Sequence, residues 1–553
     1  MYMSDYLACN LLIDQLAAES TRFIFGSLGS ADSIIIRTAL EKRNDIHYLA
    51  ALHEQIAGSM AIGYAQASAR PGVVSLPAAT GLINALSSLY NASHARVPLI
   101  VLADQQDTQI LNDEPPLWGD LCELARPVTK WTCELHAVQE IPRLVRRAFH
   151  EALSPPRGPV FLSLPINLLL KPTSDKTIKP PQSSPLGAAD TSFLKKAAKA
   201  LASATRPCMI VGNEVSAYRA RREAVTLAEV VGCPVFCEPM PIGVNFPNRH
   251  PQFGGVLPLN LYTASEKLQP YDVILVIGMH TRIPSKPTEP PLLPPSAYII
   301  QLNVEPGLAG RTLPCDLVAN ADIAETLSRV RAEIQLVVES GWVSTSKTRQ
   351  HQAISDIFLR RQEQDDAAGV PSGLAPISLN WLLRLLDSLR PQNSLICSDL
   401  VCESAHPYEI LNLENSSSYF GSNGGIAGHA PAAALGVQWA SPESVVICVT
   451  SDESVLYYPQ AFWTASHYGL AVKFVVVNSL GQANFNVRLS PLVKSEARIV
   501  LDNPTIAFDQ LASSMGVAGG TVSSMGQLEA ALKVMFETPG PFVLDVRVQP
   551  EID

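Results

Sequence analysis

Two acidic groups stand where this 553-residue chain could most readily build a site. The first lies between two apolar runs, Val445–Thr450 and Val472–Val477. One run ends at Ser451-Asp452-Glu453-Ser454, the other at Asn478-Ser479. Such short apolar runs read as buried strands, with the segment between them as a helix. In a parallel sheet, polar groups at the carboxyl ends of strands face the crevice where ligands bind. The second group is Glu54, which opens a helix-like segment crowded with Ala57, Gly58, Ala61 and Gly63. A helix so lined lets another backbone come close. A carboxylate at its start is favoured by the helix dipole if exposed, and its pKa rises if it is buried. A solvated helix cap is the plain alternative. His53, His94, His280, His406 and His429 are scattered acid–base candidates, for each of which a structural role is the plainer reading. Ser30, after the turn from Phe25, suits a helix cap.

These groups need elements to hold them. Helical and strand-like segments alternate along the chain, which predicts parallel sheets. KPTSDKTIKPPQSSPLGAAD, near residue 180, and the polar stretch 340–374 read as linkers. They divide the chain into units at 1–172, 190–339 and 375–553, in keeping with about three domains of ~150–200 residues. Apolar content of 47% against 17% charged residues suits large buried cores. The net charge of −10 argues against nucleic acid and anionic membrane as partners. No apolar run approaches the ~20 residues of a membrane helix. Met1 to Asp5 opens no signal-like segment. Ten scattered cysteines, with Cys233 and Cys237 the nearest pair, read as reduced thiols of a cytoplasmic protein.

Several segments, in order, carry a resemblance. They include Phe25-Gly26-x-x-Gly29-Ser30, His53-Glu54 through Gly63-Tyr64-Ala65, and Gly158-Pro159-Val160 in the first unit. Phe246-Pro247-Asn248-Arg249-His250-Pro251 follows in the second, and Gly424-Gly425-Ile426-Ala427-Gly428-His429 in the third. Over nearly its whole length the chain resembles thiamine diphosphate (ThDP) enzymes, most of all the benzoylformate decarboxylase branch. Acetolactate synthase and benzaldehyde lyase share most of the same segments. The resemblance implies an α/β fold of three doubly wound parallel-sheet domains: pyrimidine-binding, central and diphosphate-binding. It implies ThDP and Mg²⁺ as cofactors, in sites between the subunits of a homodimer or homotetramer. FAD is not expected. The substrate would be a 2-oxo acid, decarboxylated, or an aldehyde or 2-hydroxy ketone, joined or cleaved, through a thiazolium C2 carbanion and enamine.

By motif position, Glu54 would activate the cofactor ring and Ile426 would lie under the bent cofactor. Gly424, Gly425, Asp452, Glu453, Ser454 and Asn478 would border the diphosphate. Asp452, Ser479 and Gly481 would hold the metal. Ser30, Gln105 and Gln106 would face substrate, and Ser30 and His280 would join Glu54 in catalysis. Four departures stand out. Glu453 replaces a motif glycine, and Ser479 replaces the metal-binding Asn. In Ser398-Asp399-Leu400-Val401-Cys402, Val401 and Cys402 stand where hydroxyls often serve the diphosphate. Pro77 stands where the decarboxylases carry a catalytic His, and His280 falls a few residues before their second one. Two other expectations follow: a degenerate homologue with a binding or regulatory role, or an enzyme using the cleft without ThDP.

Overall fold

In this computed structural model the described residues are 6–27, 36, 40, 41, 43–181, 186–280, 283, 289–311, 313–339, 341–368, 376–400, 407–414, 418–481 and 501–549, side chains of 363–368 aside. They build three six-stranded sheets. The first has the order β2 (His47–Ala51), β1 (Phe23–Ser27), β3 (Gly72–Leu76), β4 (Leu99–Gln105), β6 (Pro159–Pro165), β5 (Trp131–Glu134). The second runs β12 (Leu317–Asn320), β11 (Tyr298–Asn303), β10 (Val273–Ile277), β7 (Pro207–Val211), β8 (Val235–Cys237), β9 (Phe253–Val256). The third runs β14 (Tyr419–Phe420), β13 (Leu395–Ser398), β15 (Val446–Ser451), β16 (Lys473–Asn478), β18 (Phe542–Arg547), β17 (Ala518–Val522).

All their pairings are parallel. Helices therefore cover both faces, and the middle strands carry apolar side chains on both sides. Val446–Val449 and Phe474–Val477 are buried throughout. In each sheet the chain reverses direction, between β1 and β3, between β7 and β10, and between β13 and β15. Connections leave such a point in opposite directions and open a crevice at the carboxyl ends.

The first and third sheets share one apolar core. At its centre, helix Glu54–Ser68 meets helix His429–Ala440 backbone to backbone. A Cβ added at Gly63 would lie 2.0 Å from the Ala433 carbonyl oxygen, and one at Gly436 would lie 1.8 Å from that of Met60. Only glycine allows this approach, because a clash with backbone cannot be relieved by turning a side chain.

Candidate functional site

At the reversal of the third sheet, β15 delivers Ser451, which caps the next helix by accepting the Ser454 N–H at 3.1 Å. Asp452 opens that helix and is 1% exposed. Its Oδ2 accepts the Gly481 N–H at 2.7 Å and its Oδ1 the Glu453 N–H at 2.9 Å. One buried carboxylate thus ties the turn after β15 to the turn after β16. Burial pushes its pKa above the ordinary range, against the pull of these backbone donors. Glu453 is half-buried, and its carboxylate lies over Gly481, with Oε1 3.5 Å from where a Cβ there would stand. Gly481 has φ +77°, so a side chain at that position would be strained as well as crowded.

Ser454 is committed elsewhere. Its hydroxyl donates to Asp399 Oδ2 at 2.5 Å and accepts the Gly428 N–H at 2.7 Å. Asp399, just past β13, also accepts the Thr450 hydroxyl at 2.8 Å and the Ala430 N–H at 3.1 Å. It therefore joins β13, β15 and the start of helix His429–Ala440. Asn478 is committed too. Its amide donates to Asp545 Oδ1 at 2.8 Å, and its oxygen accepts the Leu480 N–H at 3.2 Å. The loop before helix His429–Ala440 is tied to Ser454 at Gly428; within it Gly424 donates its N–H to Asn91 Oδ1 at 3.1 Å, Ile426 is half-buried and Gly425, at φ +71°, borders open space.

In the first sheet, Glu54 begins its helix after His53, whose ring accepts the Gln55 N–H at 3.1 Å. Asn84 donates to Glu54 Oε2 at 3.0 Å, and the Glu54 side chain stays partly exposed in the single chain. Pro77 is buried just past β3. Gln105 ends β4 but spends its amide locally, on the Gly119 carbonyl at 3.0 Å and the Gln106 N–H at 2.9 Å. Gln106 is half-buried. Ser30, Val401, Cys402 and His406 lie outside the described residues.

Comparison with known proteins addresses all three units. Residues 8–124 match the thiamine pyrophosphate enzyme N-terminal TPP binding domain. Residues 194–330 match the central domain of the same enzymes, and residues 402–546 their C-terminal TPP binding domain. The chain belongs to the thiamine pyrophosphate enzyme family. Benzoylformate decarboxylase of Pseudomonas aeruginosa is 27% identical over 529 residues, 95% of this chain and 96% of that one. Acetolactate synthase isozyme 3 large subunit of Escherichia coli is 25% identical over 549 residues, covering 95% and 92%. The thiamine diphosphate-dependent 4-hydroxybenzoylformate decarboxylase of Rhodococcus jostii RHA1 superposes with a TM-score of 0.81 at 25% identity, covering 99% of both chains. The chain is an enzyme of decarboxylase and acetolactate synthase type. No helix among its described residues is long and apolar enough to cross a membrane.

For this thiamine pyrophosphate enzyme, the described neighbours bring His280 together with carboxylates of the central sheet, not with the Asp452 turn. Glu238 Oε2 accepts its backbone N–H at 2.7 Å, and Glu214 Oε1 lies 3.2 Å from its Nε2. Cys233 and Cys237 are fully buried, and burial pushes the Cys233 thiol up to about 12. Along the sequence Asp545, Glu214 and Glu305 carried no assigned role, and Asp399 had only a place within the segment Ser398–Cys402. Asp399, Glu214 and Glu305 stand one to three residues past an apolar strand, the same signal that singled out Asp452. Asp545 lies within β18 and carries no such signal.

Proposed function

We propose that this enzyme binds ThDP with Mg²⁺ between two copies of the chain and acts on a 2-oxo acid. It would release carbon dioxide and pass the remaining fragment to a proton, as a decarboxylase, or to a second carbonyl, as a carboligase. The supporting observation is that Asp452 and Ser454 join the turns after β13, β15 and β16 and the loop at Gly428. Residues 1–172 would be the pyrimidine-binding domain, 190–339 the central domain and 375–553 the diphosphate-binding domain.

The residues present fit the cofactor. Asp452, Glu453, the Ser479 hydroxyl and the Gly481 carbonyl are an all-oxygen set, which suits a hard divalent cation such as Mg²⁺. Gly425 borders open space that could take a diphosphate, while Gly424 is held against Asn91 by its N–H at 3.1 Å. Glu54 of one copy would hold the pyrimidine ring, with Asn84 fixing one carboxylate oxygen. Ile426 would support the cofactor from below. When bound, ThDP supplies a nucleophilic thiazolium carbon and a sink for the electrons left by carbon dioxide. Pro77 has no proton to transfer at the end of β3. That favours capture of the fragment by a second carbonyl over its protonation.

Calorimetric titration of the whole protein with ThDP, with and without Mg²⁺, tests the reading. Wild type should bind only with the metal, and Glu54→Gln should bind yet lose turnover. Incubation with a 2-oxo acid and an aldehyde should yield carbon dioxide and a 2-hydroxy ketone. No ThDP binding at millimolar cofactor would sink the proposal. Binding without turnover of any 2-oxo acid would favour a regulatory homologue.

A further inference from the structure

The central sheet gathers a second set of ionisable groups at its own reversal, apart from the Asp452 turn. Glu214 follows β7, His280 follows β10 and Glu305 follows β11. Parallel pairing of these three strands sets their carboxyl ends side by side. His280 Nε2 lies 3.2 Å from Glu214 Oε1 and 3.7 Å from Glu305 Oε1, and the three donor atoms fall within 4.8 Å of one another. Both glutamate side chains are 0% exposed and that of His280 is 8% exposed.

Glu214 is rigidly held. It accepts the Val304 N–H at 2.7 Å, the Glu305 N–H at 3.0 Å and the Asn303 amide at 3.1 Å. Glu305 is not. Arg96 Nε, from the end of the neighbouring domain's helix, lies 3.0 Å from its Oε2 but out of hydrogen-bond alignment. Neither Glu305 oxygen and neither His280 ring nitrogen has an aligned hydrogen-bond partner among the described residues. Buried groups left so are costly. With Glu238 holding the His280 N–H, three carboxylates here face Arg96 and one imidazole.

We propose that Glu214, His280 and Glu305 bind a divalent cation of the zinc class. Zinc holds nitrogen and carboxylate ligands at ~2.0–2.2 Å, which places neighbouring donors of a tetrahedron roughly 3.4 Å apart. The 3.2 and 3.7 Å separations straddle that value. One imidazole with two carboxylates is softer than the all-oxygen set at Gly481, so the two positions would sort zinc from magnesium. A bound ion would link three strand ends and give the Glu305 carboxylate an aligned partner beside Arg96. Its fourth position would be left for water.

The same field would also attract a proton to His280. The experiment separates the two. Chelator-treated, ThDP-free protein is dialysed against Zn²⁺ with Mg²⁺ in excess, and bound zinc is measured by mass spectrometry. About one Zn²⁺ per chain is expected in wild type and in Asp452→Asn, with loss in His280→Ala and Glu305→Gln of unchanged circular dichroism. Zinc-edge X-ray absorption on wild type needs no variant, and should show one imidazole and oxygen neighbours without sulfur. Absence of zinc in wild type, retention in both variants, or sulfur neighbours would overturn the proposal. His280 would then be an imidazolium between two carboxylates.

Discussion

Glu453 is the residue on which the proposed metal site turns. Two carboxylates 4 Å apart repel by ~4 kcal/mol at an effective dielectric near 20, and a carboxylate beside a diphosphate fares no better. A divalent cation between them reverses the sign. The carboxylate lies over Gly481, beside the backbone that Asp452 also grips. That position suits a ligand standing in for the amide that Ser479 lacks. Glu453→Gly should therefore weaken Mg²⁺-dependent ThDP binding by about tenfold or more, ~1.4 kcal/mol, as read by calorimetry at fixed Mg²⁺. Tighter binding would show instead that Glu453 repels the diphosphate.

At the scale of elements, the helix pair Glu54–Ser68 and His429–Ala440 carries its own pH sensitivity. His429 is 2% exposed, with Nδ1 3.2 Å from Ser59 Oγ across the helix contact. Burial pushes its pKa down to about 4. The unfolded chain titrates near ~6.5, so above that pH the imidazole is neutral in both states and costs nothing. As pH falls toward 4, the unfolded chain takes up a proton that the folded chain refuses, and stability drops by up to ~3 kcal/mol. His429→Asn can still bond Ser59 but cannot titrate. Thermal denaturation between pH 7 and pH 4 should show wild type losing stability faster than the variant. Parallel losses would mean that His429 is not neutral and buried in the folded state.

At the scale of the whole molecule, the proposed sites draw Glu54 from one copy and Asp452 from the other. Inactive Glu54→Gln and Asp452→Asn chains, unfolded and refolded together, should then regain activity. In a dimer, random pairing makes half the molecules mixed, and each mixed molecule has one intact site. About a quarter of wild-type turnover is expected. If both residues served a site within one chain, mixing would restore nothing.

Much of this architecture was legible along the chain. Short apolar runs closed by polar residues marked the strands around Asp452 and Asn478, and small residues marked the helix behind Glu54. These are local signals, because burial on both faces of a parallel strand needs only a continuous apolar run. What Asn478 does with its amide was not legible, since its partner Asp545 is 67 residues away. Nor was the company of His280, whose carboxylates come from the ends of three other strands. Three parallel α/β units with strand-end polar groups could be read from the chain itself, and with them Glu54 and Asp452 as candidates. Folding in three dimensions decided which of those groups pair with one another and which have no aligned partner. Strand order brings carboxyl ends together across long separations, and a buried polar group takes whatever partner lies beside it.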